Sequence, residues 1–373
     1  MKTIGPSMFQ DLTAPLLDLA IAIQQIPAPT FQEAQRAEYV RQRFLAEGLA
    51  AVSTDEVGNV CACIPGKGDA LPLVVSAHLD TVFPEHTSLE VTCSAERISG
   101  PGIGDNSLGL AGLMGLVWAL RSKGESLPGD VWLVANVGEE GLGDLCGMRA
   151  VVERFQNKPQ AYIVLEGMAL GQIYDRGLGV RRYRISALTR GGHSWVDYGA
   201  PSAVHELVSV ANHLAAMKLP RDPRTTMNIG VISGGTSVNT IAAEAHLELD
   251  LRSEDLAILD HLALRVQDLV ASSSRPGVQV ACQIIGNRPI GAISPRHPLI
   301  QIARKSLEKV GLEPRLHIGS TDANIPLSLG LPAICVGITT GGGAHTLDEY
   351  IHVQPVAQGL TQLYSLVKGL YAT

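Results

Sequence analysis

The chain has 373 residues, which at about 150 residues per domain points to two or three domains. Hydrophobic residues make up 46% and charged residues 17%, enough apolar material for a large packed core, and this excludes a disordered or fibrous chain. Lys and Arg number 29 against 36 Asp and Glu, and the net charge of −7 with only 4% aromatics argues against a dedicated nucleic-acid binder.

Neither a membrane nor a secretory route is expected. The longest apolar run, Gly109–Leu120, falls well short of the roughly 20 residues a spanning helix needs. The N-terminal MKTIGPSMFQDLTAP has no apolar h-region. Six cysteines (Cys61, Cys63, Cys93, Cys146, Cys282, Cys335) form no CxxC pair and read as buried free thiols of a reducing, cytoplasmic protein.

Two helices open the chain. Phe9–Gln25 carries apolar residues at helical spacing, and Thr30 caps a second helix running through Phe44. Apolar strand-like runs then alternate with helices: LVVSA at 73–77, an almost wholly apolar helix over Leu108–Arg121, VWLVANV at 131–137 and YIVL at 162–165. This pattern predicts a mainly parallel sheet with helices on both faces, an α/β fold. The rhythm changes at Gly179. Strands at 179–188, 226–233, 243–251 and 277–285 and helices at 202–217 and 255–271 give the order β-α-β-β-α-β, the split ferredoxin-like pattern. Residues 178–288 therefore read as an inserted α+β domain, and residues 1–177 with 289–373 as the larger one. In the last part, helices are expected over His297–Val310, near Asp322–Leu329 and over Val356–Tyr371, with an apolar strand at 332–338.

Chemistry gathers at five places in the larger domain: His78-Leu-Asp80, Gly104-Asp105-Asn106, Glu139-Glu140, Glu166-Gly167 and His345. All but Asp105 follow the carboxyl end of an expected strand, and ligands of open α/β sheets bind along that edge. Each cluster alone is ordinary: a lone His is usually a satisfied or surface residue, and a Glu pair in a loop is usually solvated charge. Five at one sheet edge would converge. Two His with several carboxylates and no Cys suits zinc, cobalt or manganese. The chain has no GxSxG elbow for a nucleophilic hydrolase. Arg181, Arg182 and Arg184 read as a solvated strand face.

The segments SAHLDTVFP (76–84), GPGIGDNSLGLAGLM (100–114), NVGEEGLGD (136–144), VLEG (164–167), GGHSW (191–195), SVNTIAAEAHLELDLRS (237–253) and, over 319–351, GSTDANIPLSLGLPA with GGGAHTLDEYI resemble, in this order, the co-catalytic dizinc metallopeptidases. That family includes peptidase T, aminoacylase, acetylornithine deacetylase and glutamate carboxypeptidase. The resemblance spans nearly the whole chain. It implies a catalytic domain and an inserted dimerisation or lid domain. It further implies two divalent ions, zinc first with cobalt or manganese as alternatives. Asp105 would bridge them, Glu140 and His345 would bind one, and His78 and Glu166 the other. Asp80 would hold the His78 ring, and Glu139 would be the general base for a metal-bridged water. A cis peptide is implied at Asp105–Asn106. His193 would donate to the oxyanion from a second subunit, and Asn239 and Arg252 would contact substrate. Asp322 lies near the site in the family pattern, where it would position its loop or bind metal.

The expected activity is hydrolysis of an amide bond in short peptides, as a peptidase T-like di- or tripeptidase or exopeptidase. The alternative is an N-acyl-amino-acid deacylase. A non-catalytic binding protein on the same fold is the remote alternative. The expected partners are the small substrate and a second copy in a homodimer, with neither nucleic acid nor membrane.

Overall fold

A computed structural model describes residues 8–372. The first seven residues, which carry part of the signal-peptide expectation, lie outside the described residues. The chain divides into two compact units, Met1–Gly177 with Gly291–Thr373, and Leu178–Ile290.

The larger unit is built on a nine-stranded sheet. Its centre is parallel: Gly129–Asn136, Ala70–His78, Ala161–Glu166 and Ala333–Gly337 lie side by side. Its rims are antiparallel, with Val60–Ile64 and Ala50–Thr54 on one side and Gln172–Gly177 and Gly291–Ala292 on the other. Successive residues Leu73 to His78 point to opposite faces, yet all are buried, so the central strands are covered on both sides. Because the four central strands run the same way, their carboxyl ends share one edge.

The helix Leu108–Ser122 forms the hub of the core. Thr13–Gln24 and Val356–Leu370 both pack on it. The continuous stretch Ile103–Ser122 is longer than its apolar run suggested, at 20 residues, and by length and hydropathy would suit a membrane span. It is 89% buried inside the fold, which makes it a core helix.

The smaller unit has a four-stranded antiparallel sheet. Its order is Thr225–Gly234, Glu244–Ser253, Gly179–Thr189, Val278–Arg288. With helices Ala203–Ala215 and Leu256–Ser273 this is the ferredoxin-like arrangement. Tyr183, Ile185, Leu247, Leu249 and Leu251 alternate along two strands and pack with Leu207, Val210, Leu259 and Val266 of the helices. The intervening residues form a polar face. Arg182 and Arg252 both pair with Asp250, and Arg184 pairs with Glu248. Arg181 pairs with Asp260 instead. The arginine cluster is therefore ion-paired.

Several elements depart from the sequence reading. The edge strand Ala50–Thr54 and the strands Gln172–Gly177 and Arg315–Gly319 carry no long apolar run. The helix Cys146–Phe155 starts after two left-handed residues, Asp144 and Leu145, with no capping side chain to announce it. All six cysteines are free. Only Cys61, Cys63 and Cys335 are buried; Cys146 and Cys282 are half-buried and Cys93 is exposed, so burial holds for three of them.

Candidate metal centre

The parallel strands deliver the site. His78 is the last residue of Ala70–His78, and Glu166 the last of Ala161–Glu166. Glu139 and Glu140 follow Gly129–Asn136 in a turn through left-handed Gly138. Asp105 sits in the non-helical bend just before Leu108–Ser122, with a cis peptide to Asn106. His345 has φ of 65° in a loop after Ala333–Gly337.

These residues form two groups that share Asp105. His78, Asp105 and Glu166 offer ligand atoms within 4.8 Å of one another, and so do Asp105, Glu140 and His345. The Asp105 carboxylate spans them: His78 Nε2 lies 3.1 Å from Oδ1, and His345 Nε2 lies 3.1 Å from Oδ2. Glu166 Oε2 is 3.7 Å from His78 Nε2, and Glu140 Oε1 is 3.1 Å from His345 Nε2. Glu139, itself buried, joins His78 and Glu140 in a third such group.

The electrostatics show a shortage of positive charge. Burial pushes Glu140 up to about 7, against the hydrogen bond from His345 and with added repulsion from Glu139 and Asp105. Burial likewise pushes Glu166 up to about 7. Hydrogen bonds to Asp105 and Glu140 raise His345 to about 10. Burial opposes charge on His78, yet Asp105, Asp80 and Glu166 outweigh it and hold its imidazolium well above the ordinary range. A buried cluster of carboxylates that draws protons onto its histidines is short of cations, and its oxygen and imidazole donors suit two divalent ions.

Asp80 does more than hold His78. Its main-chain oxygen is the nearer partner of His78 Nδ1, at 3.0 Å, and its carboxylate Oδ1 stands 3.5 Å away. That carboxylate accepts the backbone N–H of Glu139 at 2.9 Å and of Glu140 at 2.8 Å. Thr30 does not cap a helix. Its hydroxyl donates to Asp80 Oδ2 at 2.9 Å, and the helix starts later, over Ala34–Ala46. Glu33 accepts the N–H of Gly138 at 3.1 Å. The Thr-x-x-Glu spacing that mimics a capping box thus serves the site loop. Arg36, fully buried, donates to the main-chain oxygens of Ile26 and Leu79 and ties the same helix to the strand end that carries His78.

Two supporting residues, Glu33 and Glu349, were absent from the sequence reading of the site, and Asn106 entered it only as a neighbour of Asp105. Asn106 donates to Leu165 O and accepts from Gly167 N, clamping the end of the strand that carries Glu166. Glu349 accepts main-chain N–H groups of the Asp105 loop. Both Asn106 and Glu349 lie inside segments that carry the family resemblance. Asp322 is fully buried, and its Oδ2 accepts from Asn136 Nδ2 at 2.7 Å. It belongs to none of the candidate ligand groups.

The three candidate substrate residues lie in the smaller unit. His193 and Asn239 come together: His193 pairs with Thr240, and Asn239 O accepts the N–H of Ser194. Trp195 N and Val196 N both donate to His193 Nδ1, at 3.2 and 3.3 Å. An accepting Nδ1 leaves the proton of the neutral ring on Nε2, where it can donate. Arg252 lies elsewhere. It pairs in register with Val180, whereas His193 follows the opposite end of the same strand, beyond Thr189. At about 3.3 Å per residue the strand between these positions, Val180 to Thr189, is roughly 30 Å long. Arg252 Nε also bonds Asp250 Oδ1 at 2.7 Å.

The chain matches peptidase family M20/M25/M40 over residues 74–369. It belongs to that family. It is 24% identical to peptidase T of Aeromonas hydrophila over 86% of this chain and 87% of that protein. It is 23% identical to a succinyl-diaminopimelate desuccinylase of Corynebacterium glutamicum over 93% of this chain and 94% of that one. A tripeptidase structure from Staphylococcus aureus superposes with a TM-score of 0.79 at 21% identity, covering 97% and 99% of the two chains. This M20/M25/M40 member is thus a hydrolase of a metallopeptidase family, on the fold those enzymes use.

Proposed function

We propose that this protein hydrolyses an amide bond in short peptides, as a di- or tripeptidase or exopeptidase dependent on two divalent ions. The observation that carries this reading is the pair of ligand groups sharing Asp105, with Glu139 beside them. His78 and Glu166 would hold one ion, Glu140 and His345 the other, and Asp105 both. Zinc is the first choice, with cobalt and manganese as alternatives. When bound, such ions polarise the scissile carbonyl and acidify water.

The chain's own residues supply the remaining steps. Glu139 lies beside the ligands without belonging to either group that holds Asp105. It takes the proton of the attacking water and passes it to the leaving amine. Asp80 fixes the main chain of Glu139 through the amide N–H, and so keeps that carboxylate in reach. His193, with its donor at Nε2, stabilises the oxyanion. Asn239 binds substrate alongside it, and Arg252 clamps a free carboxylate.

The separation of Arg252 from His193 supports assembly from two copies. A substrate of two or three residues cannot bridge roughly 30 Å, since an extended chain spans at most about 3.6 Å per residue. A homodimer in which residues 178–290 serve as the dimerisation domain would let one chain supply Arg252 and the other His193 and Asn239. The second reading is an N-acyl-amino-acid deacylase, favoured by the similarity to the desuccinylase.

The test is hydrolysis by metal-stripped protein before and after zinc, cobalt or manganese is restored. The panel holds di- and tripeptides, blocked peptides and N-acyl amino acids. Metal-restored cleavage of tripeptides with a free amine supports the peptidase, and cleavage of acyl amino acids supports the deacylase. Stoichiometric metal binding without cleavage of any member would remove the substrate reading. Absence of metal binding would leave a binding protein on this fold.

A further inference from the structure

The loop that carries Asp105 is wrapped around one residue that no part of the mechanism uses. Glu349 is fully buried. Its Oε1 accepts the N–H of Gly104 at 2.7 Å and of Asp105 at 2.8 Å, and its Oε2 accepts the N–H of Gly102 at 3.1 Å. Its main-chain oxygen accepts the N–H of Gly100 at 2.9 Å. Four amides between residues 100 and 105 therefore converge on Glu349. On its other side this loop has no slack: a Cβ on Gly167 would overlap the main chain of Gly104.

Glu349 also belongs to the loop that presents His345. The segment from Gly341 to His352 folds back as a short antiparallel pair, and Tyr350 and Ile351 pair onward with Ser99 and Ile98. One side chain thus joins the two segments whose ligands, Asp105 and His345, stand 3.1 Å apart. A carboxylate suits this task because both of its oxygens accept. Three N–H donors face it, and a glutamine would turn an NH2 toward one set of them.

We propose that Glu349 is a positioning residue for the metal centre, setting the Asp105 carboxylate against His345 by fixing the main chain from Gly102 to Asp105. This rests on the two-ion reading of the site. Its role is geometric, so its removal is expected to change the ligand field.

The test uses the full chain loaded with cobalt(II), read by visible absorption, with kcat and KM beside it and amide hydrogen exchange on the metal-free protein. Glu349→Gln is expected to shift the cobalt spectrum, speed exchange over residues 100–105, and lower kcat about tenfold or more with KM nearly unchanged. Glu349→Asp keeps two accepting oxygens and is expected to shift the spectrum in the same direction by less. Ile98→Val thins the same packing without touching the carboxylate, and is expected to lower the melting temperature with the spectrum unmoved. An unchanged spectrum in Glu349→Gln, whatever its melting temperature, overturns the proposal. So does an Ile98→Val spectrum moved as far as that of Glu349→Gln. Should Glu349→Gln fail to fold, an unmoved spectrum in Glu349→Asp overturns it equally. A wild-type protein that takes up no cobalt would bring down the two-ion reading itself, a result distinct from an unmoved spectrum in a protein that binds it.

Discussion

Asp80 Oδ1 accepts the backbone N–H of Glu139 at 2.9 Å, so the residue two places after one candidate ligand sets the position of the candidate base. Its second oxygen does the same for Glu140 at 2.8 Å. Asp80→Ala would leave two buried amides without acceptors, at about 1–3 kcal/mol each. A lower melting temperature and a large fall in kcat are expected together. Asp80→Asn keeps one acceptor and should fall between. Thermal melts and steady-state kinetics on the two variants check this, and equal behaviour of Asn and Ala would refute it.

Glu139→Gln removes the proposed proton acceptor with little change of shape. A fall in kcat of about 10²–10⁴-fold is expected, with metal content intact. Measuring bound metal and turnover on the same sample separates loss of the base from loss of the ions.

Whether His193 serves the metal centre of the partner chain can be tested by complementation. Alone, His193→Ala should lose about 10²–10³-fold in kcat. Mixed with Glu139→Gln and allowed to exchange subunits, it should recover. If His193 acts across the dimer, half of the dimers are hybrids with one intact site, so about a quarter of wild-type activity returns. No recovery after proven exchange would place His193 in its own chain's reaction.

Removal of metal should destabilise the larger unit. Glu140 and Glu166 are pushed up to about 7 first by burial, which marks carboxylates held at a cost when no cation is bound. A ligand present at about 100 times its dissociation constant adds about 2.7 kcal/mol. Calorimetry before and after chelation should show the melting temperature fall, then return when metal is restored.

The smaller unit offers a pH test away from the metal centre. Burial opposes charge on Asp250, but Arg252 and Arg182 outweigh it and hold the carboxyl below its ordinary 3.8. A carboxyl lowered in the folded state contributes stability that is complete above the unfolded value and is lost as pH falls through the folded one. Melting temperature should therefore drop as pH falls below about 4 and on through the lowered folded value, and Asp250→Asn should flatten that drop. A variant with the wild-type slope would assign the acid sensitivity to other groups.

What the sequence makes legible is what burial and strand direction dictate. Continuous apolar runs such as LVVSA and VWLVANV, short and rich in β-branched residues, read as strands covered on both sides, and the residues at their carboxyl ends then meet at one edge. That logic locates His78, Glu139, Glu140 and Glu166. It does not reach Glu349 or Glu33, because a buried carboxylate that accepts main-chain N–H groups looks in sequence like any acidic loop residue. Thr30 shows the same limit. A Thr three residues ahead of a Glu reads as a local cap, and only the fold reveals that both side chains serve a distant loop. Arg252 and His193 share one domain in sequence, but only the strand register shows that they stand at opposite ends of it.

Gly177 and Gly291, where the chain leaves the larger unit and comes back to it, are cross-strand partners in one antiparallel pair. Topologically, everything between them is an oversized hairpin connection. A short turn could stand in its place without moving a strand of the nine-stranded sheet. The metal-binding scaffold can thus be regarded as a complete object that was interrupted at a point where interruption is cheap. Excising residues 178–290 should leave the candidate metal ligands in place while removing His193, Asn239 and Arg252, the residues proposed to contact substrate.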